Sequence, residues 1–467
     1  MEGASATVTA LKAGDVTHQA ILSELEGRRR ALDPQINAFI HCVDEPAALA
    51  ADTPLAGLPI SVKDQIHVAG MPCTFGLAEK RPMVPEKTAT AVQRLVDAGA
   101  TIIGKTSLPP LAMDFQTGND LIGRTNNPWN LEYTSGGSSG GGAAAVASGM
   151  SLADIGADLA GSLRIPAAFC GVYSLLPSAG ALPGDGMMKG NGIELRHFAR
   201  IGPIARSVDD LELLWTHMSG EVRQEIEANR IRLAVCSGSN ILPVEKRITD
   251  VFERAVATFG SNDVEIVRAV PQALICPDSW ESYGTIMGHE TGALMNRVER
   301  LLARQLGRAA AARSPRFLKP VHEGYRRCEK AYGRALDRQR AVAADLSAFL
   351  ENHDALLLPV SCVGTFRHRK PTSVTGPVRD YAEPFDIDGN QLGYLDALTA
   401  FTTPVSLAGN PVVTMPLGLD GFGLPVGAQL VGKTGCERQL LALAGRLSSM
   451  LQQIAAPGAS VKRCFGS

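Results

Sequence analysis

The sequence predicts an α/β protein. Two observations carry this: short apolar runs of strand length alternate with longer stretches of helical periodicity, and glycine and proline mark the turns between them. A third concerns organisation. No internal repeat, low-complexity linker or charge block interrupts the 467 residues, so positions 1–467 read as a single domain. Residues 220–385 lack the glycine-rich turns of their flanks and read as an insertion within that domain.

Residues 7–30 read as a helix, because Val8, Leu11, Val16, Ile21 and Leu25 recur at roughly helical spacing with charges between them. Leu58–Val62 is a strand followed by Lys63 and Asp64. Thr88–Ala98 is a helix with Ala91, Val92, Leu95 and Val96 on one side, and Thr101–Ile103 is a β-branched strand. Gly136–Gly142 is a loop that runs into Ala143–Ala147, a stretch of good helix formers. A strand follows through Gly149–Ile155, then a second glycine-containing turn at Asp158–Ser162. Residues 290–350 are mostly helical, Ala355–Pro359 and Pro411–Pro416 are buried strands, and Glu437–Leu451 is a closing helix.

Composition bounds the function. A net charge of −2 gives no electrostatic reason to expect nucleic acid or an anionic membrane as partner. No run of 18 uncharged apolar residues is present, and the first 14 residues lack the pattern of a signal peptide. The nine cysteines stand singly with no CxxC pair, which argues against a metal site or a disulfide framework and fits a cytoplasmic protein.

Three stretches look like chemistry at first sight. Gly99–Thr106 and Gly427–Thr434 both match GxxxxGK[ST], but the residues between their glycines are strand-like, and a phosphate-cradling loop needs its glycines after the strand. Gly137-Ser138-Ser139-Gly140-Gly141 matches the nucleophile elbow GxSxG with Ser139 as nucleophile. The segment before it is no convincing buried strand, and the later histidines, 197, 217, 289, 322, 353 and 368, have no distinctive surroundings.

Three further segments carry more when taken together. Gly57-Leu-Pro-Ile-Ser-Val-Lys63-Asp64 ends an apolar strand on a lysine. Such a lysine either snorkels, pairs with Asp64, or loses its proton through desolvation and becomes a base. Gly136-Gly-Ser138-Ser139-Gly-Gly-Gly142 permits close backbone approach. Gly156-Ala-Asp158-Leu-Ala-Gly161-Ser162-Leu-Arg164 places a serine on a tight turn, where free N–H groups can form an oxyanion hole, and Asp158 and Arg164 can form a structural ion pair beside it. In this order, with Lys63, Ser138 and Ser162 standing 75 and 24 positions apart, the segments resemble the amidase signature family. The resemblance extends through Gly104-Lys-Thr106, Asn119, Gly123, Thr125, Asn127-Pro-Trp129, Phe169-Cys-Gly171, Gly202-Pro203, Ala205-Arg-Ser207, Gly409-Asn-Pro411 and Gly423 to Gly432.

The resemblance implies a large central mixed, twisted β-sheet flanked by helices on both faces. It implies a catalytic core at about 55–215 and 395–455, with 220–385 shaping the substrate side, aided by 183–200. It implies an amidase: Ser162 as nucleophile, Ser138 as a proton relay on a cis peptide bond, Lys63 as base, and an oxyanion hole from the N–H groups of Leu159, Ala160, Gly161 and Ser162. Ala112, Met113, Asp114 and Gly137 would lie near the acyl group. No metal and no cofactor are required; the partner is a small-molecule amide, with a homodimer possible. The chain departs from the family at Ala157-Asp-Leu-Ala160, at Leu175-Leu-Pro177-Ser178, at Pro110-Leu111 and at Asp114. Ala160 adds a methyl beside the oxyanion site, costly if that position needs φ > 0. Asp114 reads as a carboxylate that selects a cationic substrate, or as a helix cap. Arg367, Arg369 and Lys370 read as contacts for an anionic substrate or, in preference, as a solvated basic loop. Besides a free-standing amidase, two settings of the same resemblance stay open: the glutaminase subunit of a tRNA-dependent amidotransferase, which the departures at 157–160 and 175–178 argue against, and a non-catalytic scaffold, which the intact triad argues against.

Overall fold

The computed structural model describes residues 3–43, 46, 52–187, 197–221, 230–375, 378–452, 454 and 457. An 11-stranded sheet runs through its centre. In chain order its strands are β1 (Phe39–Cys42), β2 (Pro59–Lys63), β3 (Thr101–Thr106), β4 (Ala153–Asp158), β5 (Tyr173–Leu176), β6 (Arg200–Ala205), β7 (Arg232–Val235), β8 (Glu265–Arg268), β9 (Ala355–Pro359), β10 (Val412–Leu419) and β11 (Pro425–Val431). Across the sheet they lie in the order β1-β3-β2-β4-β6-β5-β10-β11-β9-β7-β8. β2 is parallel to β3 and β4, the pairs from β4 through β9 are antiparallel, and β9, β7 and β8 are parallel again. This is the expected α/β class with a mixed central sheet, flanked by helices on both faces. β2, β4, β6, β9 and β11 are buried along their whole length, which explains why β2 and β9 read as apolar runs and not as alternating ones.

Segment 220–385 supplies β7, β8 and β9 to one edge of this sheet, besides long helices at Pro277–Ala293 and Glu329–Leu350. Its scarcity of glycine turns reflects helix content, not separation from the sheet. Among the described residues no helix is long and apolar enough to cross a membrane.

The helix expected over 7–30 is two helices, α1 (Ala4–Ala13) and α2 (His18–Ile36). Gly14, at φ 77°, ends α1 and donates its N–H to the carbonyls of Ala10 and Leu11, and Thr17 caps α2 by accepting from the Ala20 N–H at 3.1 Å. Both helices bury their apolar residues in the same core, so the periodicity runs on across the break. Both GxxxxGK[ST] stretches are strand: Gly104-Lys105-Thr106 completes β3, and Gly427–Val431 lies within β11. Neither offers the loop of free N–H groups that a phosphate needs.

Two buried helices position the site, and a third precedes them in the chain. α3 (Thr90–Asp97) follows the site's first strand. α4 (Gly140–Ala147) and α5 (Arg164–Cys170) are buried at every residue. Their glycine, alanine and proline content is what lets helices sit this close to a sheet. A Cβ on Gly141 would stand 2.4 Å from the Ser107 nitrogen.

Candidate active site

Lys63 ends β2 with no exposed surface. Its Nζ donates to Ser138 Oγ at 2.7 Å and to the Ala157 carbonyl at 3.4 Å. Burial pushes its pKa down from 10.5 to about 7, against the opposing pull of Asp158 and Asp154. It neither snorkels nor pairs with Asp64. The Asp64 carboxylate accepts from the N–H (3.0 Å) and hydroxyl of Thr74, and its charge partner is the buried Lys105.

The loop before α4 brings Ser138 to that lysine. The Gly137–Ser138 peptide is cis. Gly137 packs so tightly on the 114–115 backbone that a Cβ would stand 2.6 Å from the Asp114 carbonyl oxygen and 2.8 Å from Phe115 Cα. Ser139 is the residue the elbow reading named. Its hydroxyl donates to the Ala157 carbonyl at 3.2 Å in a fully buried position, and its N–H donates to the Ser162 carbonyl at 3.1 Å. Ser139 is therefore a brace that ties the loop to the next segment, and no histidine among the described residues bonds to it.

The turn after β4 holds Ser162. Asp158 gathers the turn: its Oδ1 accepts from the Gly161 N–H at 2.7 Å and from Arg164 Nη2 at 2.9 Å, and its Oδ2 accepts from the Leu163 N–H at 2.9 Å and from Arg164 Nε at 3.1 Å. Burial would raise its pKa, but the Arg164 guanidinium and these hydrogen bonds outweigh it and hold the carboxyl at about 2. Arg164 is fully buried and fully used, donating also to the Thr402 carbonyl (3.0 Å), Gln429 Oε1 (2.8 Å) and Ser406 Oγ (2.6 Å). The expected ion pair is thus the frame of the turn.

Two expectations about the oxyanion donors change. The Gly161 N–H is committed to Asp158, which leaves the N–H groups of Leu159, Ala160 and Ser162 without partners among the described residues. Ala160 does not sit at positive φ; Gly161 does, at 130°, so the alanine fits without backbone cost. The Ser162 hydroxyl takes part in no hydrogen bond among the described residues, the Ser138 hydroxyl included, and the residue is 7% exposed. The two segments are joined through Ser139 instead.

Asp114 is neither a helix cap nor an open carboxylate. Its Oδ1 accepts from the Phe115 N–H (2.7 Å) and the Tyr394 hydroxyl (2.9 Å), and its Oδ2 accepts from the Tyr381 hydroxyl (2.6 Å), with Arg379 Nη1 at 3.9 Å. Burial raises its pKa. The two tyrosine rings stack at 4.1 Å. Asp114 therefore clamps the 378–394 segment onto the backbone beside Gly137. Ala112 and Met113 precede it as partly exposed residues, with Ala112 at φ 59°. Arg369 is not free in solvent either: its guanidinium lies 3.7 Å from the Phe385 ring centre.

Several polar residues with specific partners were not singled out in the sequence. Asp154 is buried on β4. Arg200, on β6 opposite Asp158, donates to the carbonyls of Pro177 (2.7 Å) and Asn410 (2.9 Å), and burial lowers its pKa to about 10. His197 does have distinctive surroundings. It meets the Glu290 carboxylate, which also accepts from the Tyr332 hydroxyl at 3.0 Å. A charged residue inside an otherwise apolar strand was the available signal for Asp154 and Arg200. No local signal marks the Glu290 cluster, whose members come from distant elements.

Comparison with known proteins places the chain in a family. The Amidase family model matches residues 20–441. A glutamyl-tRNA(Gln) amidotransferase subunit from Deinococcus deserti is 31% identical, over 96% of each chain. A solved structure described as an amidase is 28% identical and superposes with a TM-score of 0.80, covering 97% of this chain and 100% of the other. A 6-aminohexanoate cyclic dimer hydrolase superposes at 0.79 over 97% of each chain, and at 24% identity it speaks for the fold alone. With the family model spanning nearly the whole chain, and enzymes of amide C–N bonds among the relatives, the chain belongs to the amidase signature family.

Proposed function

We propose that the chain cleaves a carboxamide C–N bond through an acyl-enzyme on Ser162, with Lys63 as base and Ser138 as relay. The observation that carries this is the fully buried Lys63 Nζ–Ser138 Oγ pair at 2.7 Å, with the lysine pKa near 7. Near neutral pH a large share of such a lysine is an uncharged amine, as a general base must be. Lys63 takes the Ser138 proton while Ser138 takes that of Ser162, and Ser162 Oγ attacks the carbonyl carbon. Ser138 then returns a proton to the leaving nitrogen, and water releases the acyl group by the same route in reverse. The gap between the two serine hydroxyls is of the kind that closes when substrate binds. The N–H groups of Leu159, Ala160 and Ser162 receive the oxyanion. Loss of one such donor typically costs about 3 kcal/mol of transition-state stabilisation.

The setting of this chemistry has two readings. The departures at 157–160 and 175–178 favour a free-standing amidase. The whole-length match to a glutamyl-tRNA(Gln) amidotransferase component supports the other, in which the chain releases ammonia from glutamine inside a complex. The ordinary φ of Ala160 removes much of the weight of the departures, so the comparisons favour the amidotransferase reading.

Treatment with a fluorophosphonate probe, with the modified residue mapped by mass spectrometry, tests the chemistry. Labelling at Ser162 that disappears in Lys63→Ala and Ser162→Ala supports it; labelling at Ser139 sinks it. Turnover of simple amides by the isolated chain would favour the free-standing enzyme. Glutamine hydrolysis that appears only with co-purified subunits would favour the other.

A further inference from the structure

The proposed mechanism leaves one buried charge beside Lys63 without a task. Asp154 lies on β4 opposite Ser61 of β2, and its Oδ1 accepts from the hydroxyls of Ser61 (2.8 Å) and Thr106 (2.9 Å). Ser61 stands two residues before Lys63, on the same face of β2. Thr106 is the register partner of Lys63 on β3. One carboxylate on β4 therefore grips both the lysine's own strand and β3 beyond it. It is fully buried, and its Oδ2 has no hydrogen-bond partner among the described residues. α4 covers it at Gly142, where a Cβ would stand 2.0 Å from Oδ2, so only glycine fits there.

A carboxylate oxygen in a dry core without a hydrogen bond is costly unless a nearby charge compensates it. The charges that face it are Lys63 on β2 and Lys105 on β3; Asp158 stands four residues on along β4 and acts on Lys63, and Asp64 follows β2 and faces Lys105. α4 brings no titratable group. Burial raises the Asp154 pKa to about 6, less than it would be without the two hydroxyls and the two lysines, so the group is mostly ionised at neutral pH. The two lysines are not equivalent. Lys105 is held by the carbonyls of Ile66 (2.6 Å) and Pro72 (3.4 Å), whereas Lys63 faces the Ser138 hydroxyl at 2.7 Å and is the group that takes a proton in the proposed step.

We infer that Asp154 is a positioning residue for the base: it fixes Ser61 and Thr106 around Lys63, and its negative charge supports the ammonium that forms as Lys63 takes the Ser138 proton. This rests on the triad reading above. In the step, the Ser138 O–H bond breaks and a bond from that proton to Nζ forms. Asp154 stays a carboxylate throughout and receives no proton.

The test is the rate of fluorophosphonate labelling at Ser162 between pH 5 and 9, in wild type and in Asp154→Asn, which keeps the shape and an acceptor for both hydroxyls. Loss of the charge makes Lys63 less basic. The acid limb is expected to move to lower pH by roughly one unit, and the plateau rate to fall about tenfold. A rate reduced equally at every pH, with the limb unmoved, would make Asp154 a structural residue only and overturn the inference. Where Asp154→Asn does not fold, Ser61→Ala takes its place. It removes one hydroxyl from Oδ1, raises the protonated share of Asp154, and is expected to move the limb the same way by less; an unmoved limb again overturns the inference. Lys63→Ala separates the two levels. If it still labels at the wild-type rate, the triad reading falls and takes this inference with it. If it is silent and the Asp154→Asn limb stays in place, the inference alone falls.

Discussion

Lys63→Met should abolish activity and make the protein more stable, by an amount that depends on pH in a defined way. In the unfolded chain a lysine keeps its proton up to about 10.5; in the folded protein burial lowers that to about 7. Between these values the unfolded state binds more protons, so wild-type stability rises with pH, by about 1.4 kcal/mol per pH unit. At pH 7 and below, the full difference counts against folding, about 5 kcal/mol. Methionine fills a similar volume and carries no charge. It forfeits the hydrogen bond to Ser138, worth about 1 kcal/mol, so the variant should lead by about 4 kcal/mol near pH 7. The lead should shrink steadily toward pH 10.5.

Urea unfolding at several pH values from 8 to 10, extrapolated to water, measures the lead directly. Starting at pH 8 avoids Asp154, which titrates at about 6 and responds to loss of the lysine charge. The cysteines and the other lysines are common to both proteins and cancel in the difference. Two stability curves that run parallel over this range would refute the reasoning. They would mean that Lys63 keeps its proton in the folded state, and a lysine that keeps its proton is not a general base at neutral pH.

Three further outcomes follow from the geometry. Ser162→Ala should be inactive while Ser139→Ala retains most activity, because Ser139 only braces Ala157 and Ser162; a dead Ser139→Ala that is folded by circular dichroism counts against the triad. Asp158→Asn should lower stability at pH 7 by about 3–5 kcal/mol, since Arg164 is left buried with its charge unpaired. In wild type, the support from Asp158 should persist above pH 4 and disappear as pH falls toward about 2, which acid titration of the melting temperature in both proteins checks. Asp114→Asn should cost about 1–3 kcal/mol in thermal stability and leave the ranking of amide substrates unchanged, because both carboxylate oxygens are already taken by Tyr381, Tyr394 and the backbone; a switch in preference between cationic and neutral substrates would restore the specificity role.

What was legible in the sequence is what the backbone itself dictates. A lysine after Pro-Ile-Ser-Val, glycines that allow a helix to press on a sheet, and an Asp and Arg six residues apart around a serine each leave a local mark, because each solves a local steric or electrostatic problem. The helix break at Gly14 was hidden because two helices feeding one core keep one periodicity. Asp114 was misread because its partners, Tyr381 and Tyr394, lie some 270 residues away, and nothing at 114 announces them. The turn at 159–162 shows the limit most clearly. The sequence offered four N–H groups on equal terms, and the fold removed one of them by turning Gly161 toward Asp158.

The same contrast explains how the site can be both dry and charged. Lys63, Lys105, Asp64, Asp154, Asp158 and Arg164 are all buried around the first three segments of the core, and each would be ruinous alone. They are divided by the sheet into sets: Asp158 with Arg164 at the Ser162 turn, Asp64 with Lys105 at the end of β2 and β3, and Asp154 beside Lys63. The first set is saturated with hydrogen bonds on both partners, and it holds geometry. The last is not, because Oδ2 of Asp154 has no donor among the described residues and the lysine is near its titration point. An ion pair with spare capacity is a poor way to stabilise a fold. It is a good way to hold the proposed base, whose charge must change during each turnover, because a carboxylate already in place offsets part of the burial that disfavours the protonated form and does not need to reorganise.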